Sequence, residues 1–327
     1  MMVKKMLTMF LTSVLVTLGV AVLLVVTDPI KKRPPIKSLD FDAALGQDLS
    51  DLPETQAVTM RDGNTIAVRR YGAGGIDKPL LIMVHGSGWH GMQFHGLAKG
   101  LATQADVVVP DLRGHGVTPQ RRGDIDYINQ FKDDLADLIK TTAQPNQKVV
   151  MLGHSSGGGL VVRFAGGKHG EMIDHAVLLT PFLKHNAPTT RENSGGWAHV
   201  YLRRLIGLSI LNTFRITALN HLGVIQFSMP QQVLDGPLGD TATTQYSYRL
   251  STGYAPRGDY LRDIAALPAF TVITGSADES FVAAQYQPLM SSVTGKGRYL
   301  VVPDIGHLAI VDADKTLAAI KEDLSGI

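Results

Sequence analysis

The chain has 327 residues, 44% of them hydrophobic and 18% charged, so it can bury a full core and is not a disordered or minimal scaffold. It contains no cysteine, which excludes disulfides, thiolate nucleophiles and cysteine-ligated metal sites. The formal charge is +2, but residues 1–40 hold six of the 31 basic and two of the 29 acidic groups, which leaves 25 and 27 for residues 41–327. The body therefore lacks the basic surface typical of nucleic-acid binding, and we predict no nucleic-acid partner.

The first predicted element is an apolar helix over residues 6–26, which follows a short tail, 1–5, that carries Lys4 and Lys5. At ~1.5 Å per residue this helix would span roughly the 30 Å hydrocarbon core of a bilayer, and we predict a single-pass membrane anchor. A cleaved signal peptide is the alternative, but the run exceeds the ~7–15 residues typical of one and no A-x-A site follows it. Basic residues flank the run on both sides, so they leave its orientation open.

Residues 27–55 are polar and marked by prolines near their start, which predicts a linker between the anchor and a body over residues 56–327. The body opens with two alternating segments, 57–60 and 65–71, around Asp62-Gly63-Asn64. A turn sequence between two such segments predicts a β-hairpin.

Short apolar runs then alternate with helical stretches, which is the pattern of a parallel sheet covered on both faces. The runs are residues 80–84, 107–110, 149–152, 176–179, 270–274 and 299–302. The predicted fold is therefore α/β, with a doubly wound and mostly parallel sheet.

About 90 residues separate the fourth run from the fifth, far more than one crossover helix requires. We therefore predict an inserted helical cap at about residues 183–262. Its apolar residues recur at helical spacing, which predicts one long helix that also carries Arg203, Arg204 and Arg215. The apolar face of that helix is made by Trp197, Tyr201, Leu205, Leu208, Leu211 and Phe214.

The run at 149–152 leads into Gly153-His154-Ser155-Ser156-Gly157, a G-x-S-x-G sequence that precedes a helical stretch. Strand, sharp turn and helix are the context in which this motif presents a nucleophilic serine. Side chains at Gly153 or Gly157 would collide with the neighbouring strand and helix. We predict that Ser155 is a nucleophile at a helix N-terminus, where developing negative charge is favoured.

A serine nucleophile needs a base, and the base needs a carboxylate that orients it. Asp278 follows the run at 270–274, and His307 follows the run at 299–302. Because the carboxyl ends of parallel strands share one edge of a sheet, these two side chains are expected to converge with Ser155. The sequence thus predicts a catalytic triad in the order serine, acid, histidine.

An oxyanion hole needs two backbone N–H groups aimed at the oxygen where charge develops. The run at 80–84 leads into His85-Gly86-Ser87-Gly88-Trp89. By its position the N–H of Ser87 is expected to join that of Ser156, the residue after the nucleophile.

Over about residues 56–327 the sequence resembles the α/β-hydrolase family, in particular its monoacylglycerol lipase, lysophospholipase and serine-aminopeptidase-like branch. The resemblance implies the same roles for Ser155, Asp278 and His307, with Ser87 and Ser156 as oxyanion donors, and it implies that the insertion covers the site. The matching motifs are His85-Gly86, Asp111-Leu112-Arg113-Gly114-His115-Gly116, the G-x-S-x-G sequence, Gly275 with Asp278, and Gly306-His307.

Departures from family patterns narrow the expected activity. Thr118 stands where many members have serine, and the first loop lacks the His-Gly-Gly-Pro-Gly sequence of prolyl iminopeptidases. The serine nucleophile excludes dehalogenases and epoxide hydrolases, which use aspartate. The glycine-rich sequence from 153 to 159 also resembles cofactor-free haloperoxidases and perhydrolases, whose activity is an alternative on the same triad.

The sequence supports other classes of protein less well. The Gly86–Gly91 loop is formally G-x-G-x-x-G with Asp111 twenty residues further on, which would indicate an NAD-dependent oxidoreductase, but this interpretation gives the triad residues no joint role. The glycines after Ser155 lack the lysine of a phosphate loop. The spacing of His85, His90 and His95 does not suit a metal site. A membrane-anchored binding module without activity is the remaining alternative.

The sequence therefore predicts a membrane-anchored serine hydrolase that cleaves carboxylic esters and needs no cofactor or metal. An apolar cap beside a bilayer favours single-chain lipid substrates such as a monoacylglycerol or a lysophospholipid. The oligomeric state and the side of the membrane do not follow from the sequence.

Overall fold

The structure is a computed structural model that describes residues 1–31, 38–72, 75 and 77–327. Part of the predicted linker, residues 32–37, lies outside the described residues. Within the described part the strands are β1 (Gln56–Thr59), β2 (Thr65–Tyr71), β3 (Leu80–Val84), β4 (Asp106–Pro110), β5 (Val149–His154), β6 (His175–Leu179), β7 (Ala198–Val200), β8 (Gly223–Phe227), β9 (Gln245–Ser247), β10 (Ala269–Gly275) and β11 (Gly297–Val302).

The α-helices in the same part of the chain begin with a long N-terminal one and are otherwise short. They are α1 (Met2–Val26), α2 (Asp42–Leu45), α3 (His95–Leu101), α4 (Gln130–Thr142), α5 (Ser156–Ala165), α6 (Leu202–Thr213), α7 (Gln231–Leu234), α8 (Tyr248–Tyr254), α9 (Tyr260–Ala265), α10 (Tyr286–Ser291) and α11 (Asp314–Ser325). Short 3-10 helices lie at Gly91–Phe94, Gly170–Met172, Glu192–Gly196, Gly239–Thr241, Ala283–Gln285 and Ala309–Val311.

Eight strands form one sheet in the order β1-β2-β4-β3-β5-β6-β10-β11. β1 and β2 form the predicted antiparallel hairpin, and β2 also pairs antiparallel with β4. The other neighbours in the sheet pair parallel. The predicted α/β fold with a mostly parallel sheet is confirmed.

The central strands of the sheet are buried on both faces, whereas the edge strands β1 and β11 are more exposed. Along β3, Leu80 and Ile82 pack into the core on one face, while Leu81 and Met83 pack into the core on the other, and none of the four is exposed. A strand that is buried on both sides has no polar alternation, which is why these strands read as continuous apolar runs.

The loops that follow β3, β5, β10 and β11 lie at one edge of this sheet. Gly153 at the end of β5 pairs with Val84 of β3, and Gly275 at the end of β10 pairs with Val302 of β11. The segments that follow these strands therefore leave the sheet at the same level, which brings residues far apart in sequence to one place.

The insertion between β6 and β10 is not purely helical, which corrects the prediction. β7, β8 and β9 form a separate antiparallel sheet of three strands, and the predicted helix over 197–214 begins only at Leu202. Val200 pairs with Ile225 of β8, so strand pairing overrides the helical spacing of this segment. The cap therefore combines this small sheet with α6 to α9.

The second half of α1 packs against cap helix α6. Ala21 and Val25 are buried together with Leu208 and Leu211. A Cβ on Gly207 would lie 2.5 Å from the carbonyl oxygen of Ala21, so only glycine allows this approach. By contrast, residues 2–13 of α1 are exposed.

Part of the segment predicted as a linker packs onto the body. Leu39 and Phe41 are buried, and the ring centroid of Phe41 lies 5.5 Å from that of Trp89 and 5.8 Å from that of Trp197. Burial of these two apolar side chains stabilises the position of an otherwise polar segment between the main sheet and the cap.

Candidate active site

Ser155 occupies the sharp turn between β5 and α5. Its backbone has φ 55° and ψ −121°, a conformation that L-residues rarely adopt and that stores strain. A Cβ on Gly157 would lie 2.1 Å from the carbonyl oxygen of Val84, so glycine is required where α5 begins beside β3. The turn lifts the Ser155 side chain off the end of the strand, as the motif predicts.

The structure brings the three predicted triad residues together. The Ser155 hydroxyl lies 3.0 Å from Nε2 of His307, and Nδ1 of His307 lies 2.9 Å from Oδ2 of Asp278. All three residues are buried, with at most 6% of any of them exposed. These distances are within hydrogen-bond range for a nucleophile, a base and an orienting carboxylate.

The surroundings of Asp278 favour its ionised form. Burial opposes ionisation, but the His307 ring, the Thr180 hydroxyl and the N–H of Phe281 together hold the pKa of Asp278 below its usual value. The N–H groups of Ser280 and Phe281 both donate to Oδ1, each at 2.8 Å. An ionised carboxylate only accepts, so Nδ1 of His307 carries the proton and Nε2 is free to accept the Ser155 proton.

Ser87 and Ser156, the two predicted oxyanion donors, lie shortly after β3 and β5, with Ser156 at the start of α5. Both residues line the cavity beside Ser155, and neither N–H donates to an acceptor within the described residues. Nδ1 of His85 donates to the carbonyl of Gly86 at 2.8 Å, and Nε2 of His85 accepts from the N–H of Leu112 at 3.1 Å. Because the C=O and N–H of one peptide point in opposite directions, His85 turns the Ser87 N–H away from itself.

A second set of hydrogen bonds connects this loop to the base. The N–H of Gly86 donates to Oε1 of Gln93 at 3.4 Å, and Nε2 of Gln93 donates to Nδ1 of His154 at 3.2 Å. Nε2 of His154 then donates to the carbonyl of His307 at 2.9 Å. The loop before the oxyanion donor and the backbone of the base are thus held by the same buried side chains.

A small cavity of about 80 Å³ lies against Ser155. Six serines, Ser155 among them, line it together with six aromatic residues: Phe182, Trp197, Phe227, Tyr246, Tyr254 and Phe281. A larger groove of about 610 Å³ runs between the β1–β2 hairpin and residues 111–120, but it includes none of the triad residues. The smaller cavity is the candidate substrate site because it alone of the two touches the reactive hydroxyl.

The residues of the competing interpretations have other partners. Asp111 accepts the N–H of Gly91 at 2.7 Å and pairs with Arg69, so its carboxylate is not free for a ribose. His95 bonds Asp51 and Tyr71, while His85 bonds backbone groups, so these two rings do not share a ligand position. Within the described residues, no group of histidine and acidic side chains could hold a metal ion.

Two contributors to the site were not predicted. Thr180, directly after β6, donates its hydroxyl to Oδ2 of Asp278, and Glu279 accepts the N–H of His307 at 2.7 Å. Thr180 occupies the same kind of strand-end position as the triad residues, so that rule could have found it. No comparable sequence pattern predicts the role of Glu279, because its hydrogen bond to His307 forms only when two separate loops fold against each other.

Four buried histidines should make the protein sensitive to acid. Burial holds the pKa of His85, His90, His115 and His154 below the usual value, to about 3 for His154. Below pH ~6.5 the unfolded chain binds protons at these sites and the folded chain does not. We expect the free energy of unfolding to fall from pH ~6.5 downwards, by about 1.4 kcal/mol per pH unit for each histidine still neutral in the fold.

Urea unfolding in detergent between pH 7 and pH 5 measures this loss. His90, whose ring nitrogens have no partner in the described part of the chain, offers the cleanest variant. His90→Phe should reduce the slope, whereas exposed His221 replaced by glutamine should leave it unchanged. An unchanged slope in His90→Phe would contradict the expectation.

The fold and the convergence of three strand-end residues on one sheet edge define the class of α/β hydrolases. A family model described as "Alpha/beta hydrolase family" matches residues 81–320. The match covers more than half of the chain, and the protein belongs to this family. The resemblance predicted from the motifs is confirmed.

Individual relatives indicate which α/β hydrolases the chain is similar to. The chain is 26% identical to "Probable protein phosphatase methylesterase 1" of Caenorhabditis elegans, over 88% of this chain and 80% of that protein. It is 28% identical to a monoacylglycerol lipase of Mycolicibacterium smegmatis, over 28% of this chain and 34% of the lipase. A soluble variant of Saccharomyces cerevisiae monoglyceride lipase has a TM-score of 0.64 at 15% identity, covering 90% and 97% of the two chains, which shows the fold. These likenesses support a hydrolase of the esterase type in the monoacylglycerol-lipase-like branch.

Proposed function

We propose that the protein is a serine hydrolase that cleaves carboxylic esters through an acyl-enzyme. The observation that carries the proposal is the hydrogen-bonded series from Ser155 through His307 to Asp278, with 3.0 Å and 2.9 Å between the bonded atoms. It lies beside a small cavity and near two backbone N–H groups that have no acceptor among the described residues, which supports acyl transfer.

In the proposed mechanism Ser155 Oγ attacks the ester carbonyl carbon while His307 Nε2 takes the hydroxyl proton. The carbonyl oxygen becomes an oxyanion, which the N–H groups of Ser87 and Ser156 stabilise. Collapse of this intermediate breaks the ester bond, and His307 gives the proton to the leaving alcohol. Water, activated by the same histidine, then releases the carboxylic acid and restores Ser155. Asp278 orients His307 and stabilises its protonated form.

A fluorophosphonate probe tests the nucleophile. The wild-type protein should take up one equivalent of probe on Ser155, identified by peptide mass, because the probe reacts with an activated serine. Ser156→Ala is the matched control, since it removes a neighbouring hydroxyl but keeps the backbone N–H, and it should still be labelled. Labelling on another serine, or none, would contradict the proposal.

We propose further that α1 stays in the mature protein as a membrane anchor. An 18-residue stretch of this helix has a mean hydropathy of 2.7, and the second half of the helix packs on the cap. Loss of α1 would uncover Leu208 and Leu211, which are buried against it. Arg203 also donates to Oγ1 of Thr27 at 2.7 Å, so the contact continues past the end of the helix.

The mass of the intact protein extracted from membranes tests the anchor. We expect an N-terminus at the start of the chain and resistance to extraction at alkaline pH. A mature N-terminus shortly after α1 would identify a signal peptide and overturn this part of the proposal.

The proposed substrates are single-chain lipids, such as a monoacylglycerol or a lysophospholipid. The six aromatic side chains in the wall of the cavity at Ser155 and the packing of the cap on an apolar helix support this class. The cavity of about 80 Å³ is smaller than the ~300–1,000 Å³ typical of ligand pockets. A long acyl chain therefore requires the cap to open.

The small cavity favours a second candidate, an ester with a short acyl group. A series of p-nitrophenyl esters from acetyl to lauroyl, measured in mixed micelles, separates the two. We expect kcat/KM to rise with chain length for a lipid esterase. A preference for acetyl over longer chains would refute the lipid substrates and support the second candidate.

A further inference from the structure

Three aromatic side chains of the cap hold the loop that carries the Ser87 oxyanion donor. The Tyr254 hydroxyl donates to the carbonyl of His85. Nε1 of Trp197 donates to Oγ of Ser87 at 3.0 Å. The hydroxyl of Tyr246 accepts the N–H of Gly88 at 2.6 Å. These three aromatic residues come from separate parts of the cap, and all three are buried.

The direction of the Tyr246 hydrogen bond is determined by its neighbours. Nδ1 of His115 lies 3.0 Å from the carbonyl of Arg113, which can only accept, so the proton of the neutral ring is on Nδ1. Nε2 of His115 must then accept, and the Tyr246 hydroxyl donates to it at 2.7 Å. The Tyr246 oxygen can therefore only accept from the N–H of Gly88. This hydrogen bond fixes the orientation of the peptide between Ser87 and Gly88.

The loop is then held from both sides. The body fixes Gly86 through the His85 ring and through Gln93. The cap fixes His85, Ser87 and Gly88 through the three aromatic side chains. These groups are occupied, whereas the N–H of Ser87 has no acceptor among the described residues. Ser87 lines the same cavity as Ser155, where an oxyanion would form.

We infer that the cap organises the oxyanion hole and that Tyr246 is a positioning residue for the Ser87 N–H. The cap is then part of the machinery for turnover as well as a cover over the substrate. This inference rests on the proposed ester hydrolysis. It concerns the transition state, because an oxyanion donor contributes mainly after the carbonyl has been attacked.

Tyr246→Phe tests the inference, since it keeps the ring in the cavity wall and removes the hydroxyl. With p-nitrophenyl butyrate we expect kcat to fall by about 10-fold or more and KM to change by less than about 3-fold. The Ki of a trifluoromethyl ketone, whose adduct with serine carries an oxyanion, should rise by about the same factor as kcat/KM falls.

The matched control is Tyr248→Phe, which removes a buried cap hydroxyl that bonds Ser209 at 3.2 Å. Its kcat and Ki should stay within about 2-fold of wild type. Ser87→Ala is a second variant in case Tyr246→Phe does not fold, because it keeps the oxyanion N–H and removes the acceptor of Trp197. It should also lower kcat more than it changes KM.

Three results would overturn the inference. The first is a kcat within about 2-fold of wild type in a folded Tyr246→Phe and in Ser87→Ala. The second is a loss confined to KM, which would indicate that Tyr246 only binds substrate. The third is equal hydrolysis by wild type and Ser155→Ala, which would refute the proposed function itself. The first two leave serine-dependent activity intact, so the two kinds of failure are distinguishable.

Discussion

Replacing Ser155 by alanine should lower kcat for a short p-nitrophenyl ester by roughly 10⁴-fold or more. The alanine has no atom that can form the acyl-enzyme, while His307, Asp278 and the two oxyanion donors stay in place. Residual hydrolysis would then come from binding and the oxyanion hole alone. Steady-state kinetics on purified protein measure this loss, and appreciable turnover by the variant would contradict the nucleophile assignment.

The same position allows a control that separates catalysis from strain. The backbone at Ser155, at φ 55° and ψ −121°, suits glycine better than any side chain. Ser155→Gly should therefore be as inactive as Ser155→Ala but more stable by about 1 kcal/mol, or about 2 °C in melting temperature. If the glycine variant melts below the alanine variant, the turn is not strained in solution.

Replacing Asp278 by asparagine should lower kcat by roughly 10³–10⁴-fold. The N–H groups of Ser280 and Phe281 keep an oxygen at the Oδ1 position, so the new NH₂ group occupies the Oδ2 position beside His307. An NH₂ group cannot accept from Nδ1. The ring is then driven to the tautomer with its proton on Nε2, which cannot accept the proton of Ser155.

Asp304→Asn is the matched control for the acid. Asp304 is an exposed carboxylate three residues before the histidine in the same loop, and its replacement should change kcat by less than about 2-fold. Both variants should melt close to wild type, so that a loss of activity reports the site. An equally large loss at Asp304 alone would move the role of the acid to that residue.

Each apolar run predicted as a strand lies within a strand of the main sheet, and the run at 80–84 is β3 itself. Five of these strands, β3 to β6 and β10, are buried almost throughout, so a continuous apolar run was enough to predict them. The edge strand β11 is more exposed. The triad followed from the predicted strands, because parallel strands place their carboxyl ends at one edge, which is where Ser155, Asp278 and His307 meet.

The cap shows where such prediction fails. Residues 198–200 belong to the stretch 197–214, whose apolar residues recur at helical spacing. They nevertheless form β7, because β8 provides a partner strand. Phe41 lies in a polar stretch, yet it is buried because two tryptophans provide a site for its ring. In both places the deciding partner is distant in sequence, and local periodicity carries no information about it.

By itself the sequence determined the class of fold, because strands buried on both faces leave a direct mark on local composition. The sharp glycine turn and the strand ends also predicted which serine, carboxylate and histidine would lie together. The tertiary structure alone decided which donors and acceptors surround these groups. The hydrogen bonds from Thr180 to Asp278 and from the Gly88 N–H to Tyr246 each join segments that are far apart in the sequence. Such contacts depend on the packing of whole elements, and no short pattern in the chain encodes them.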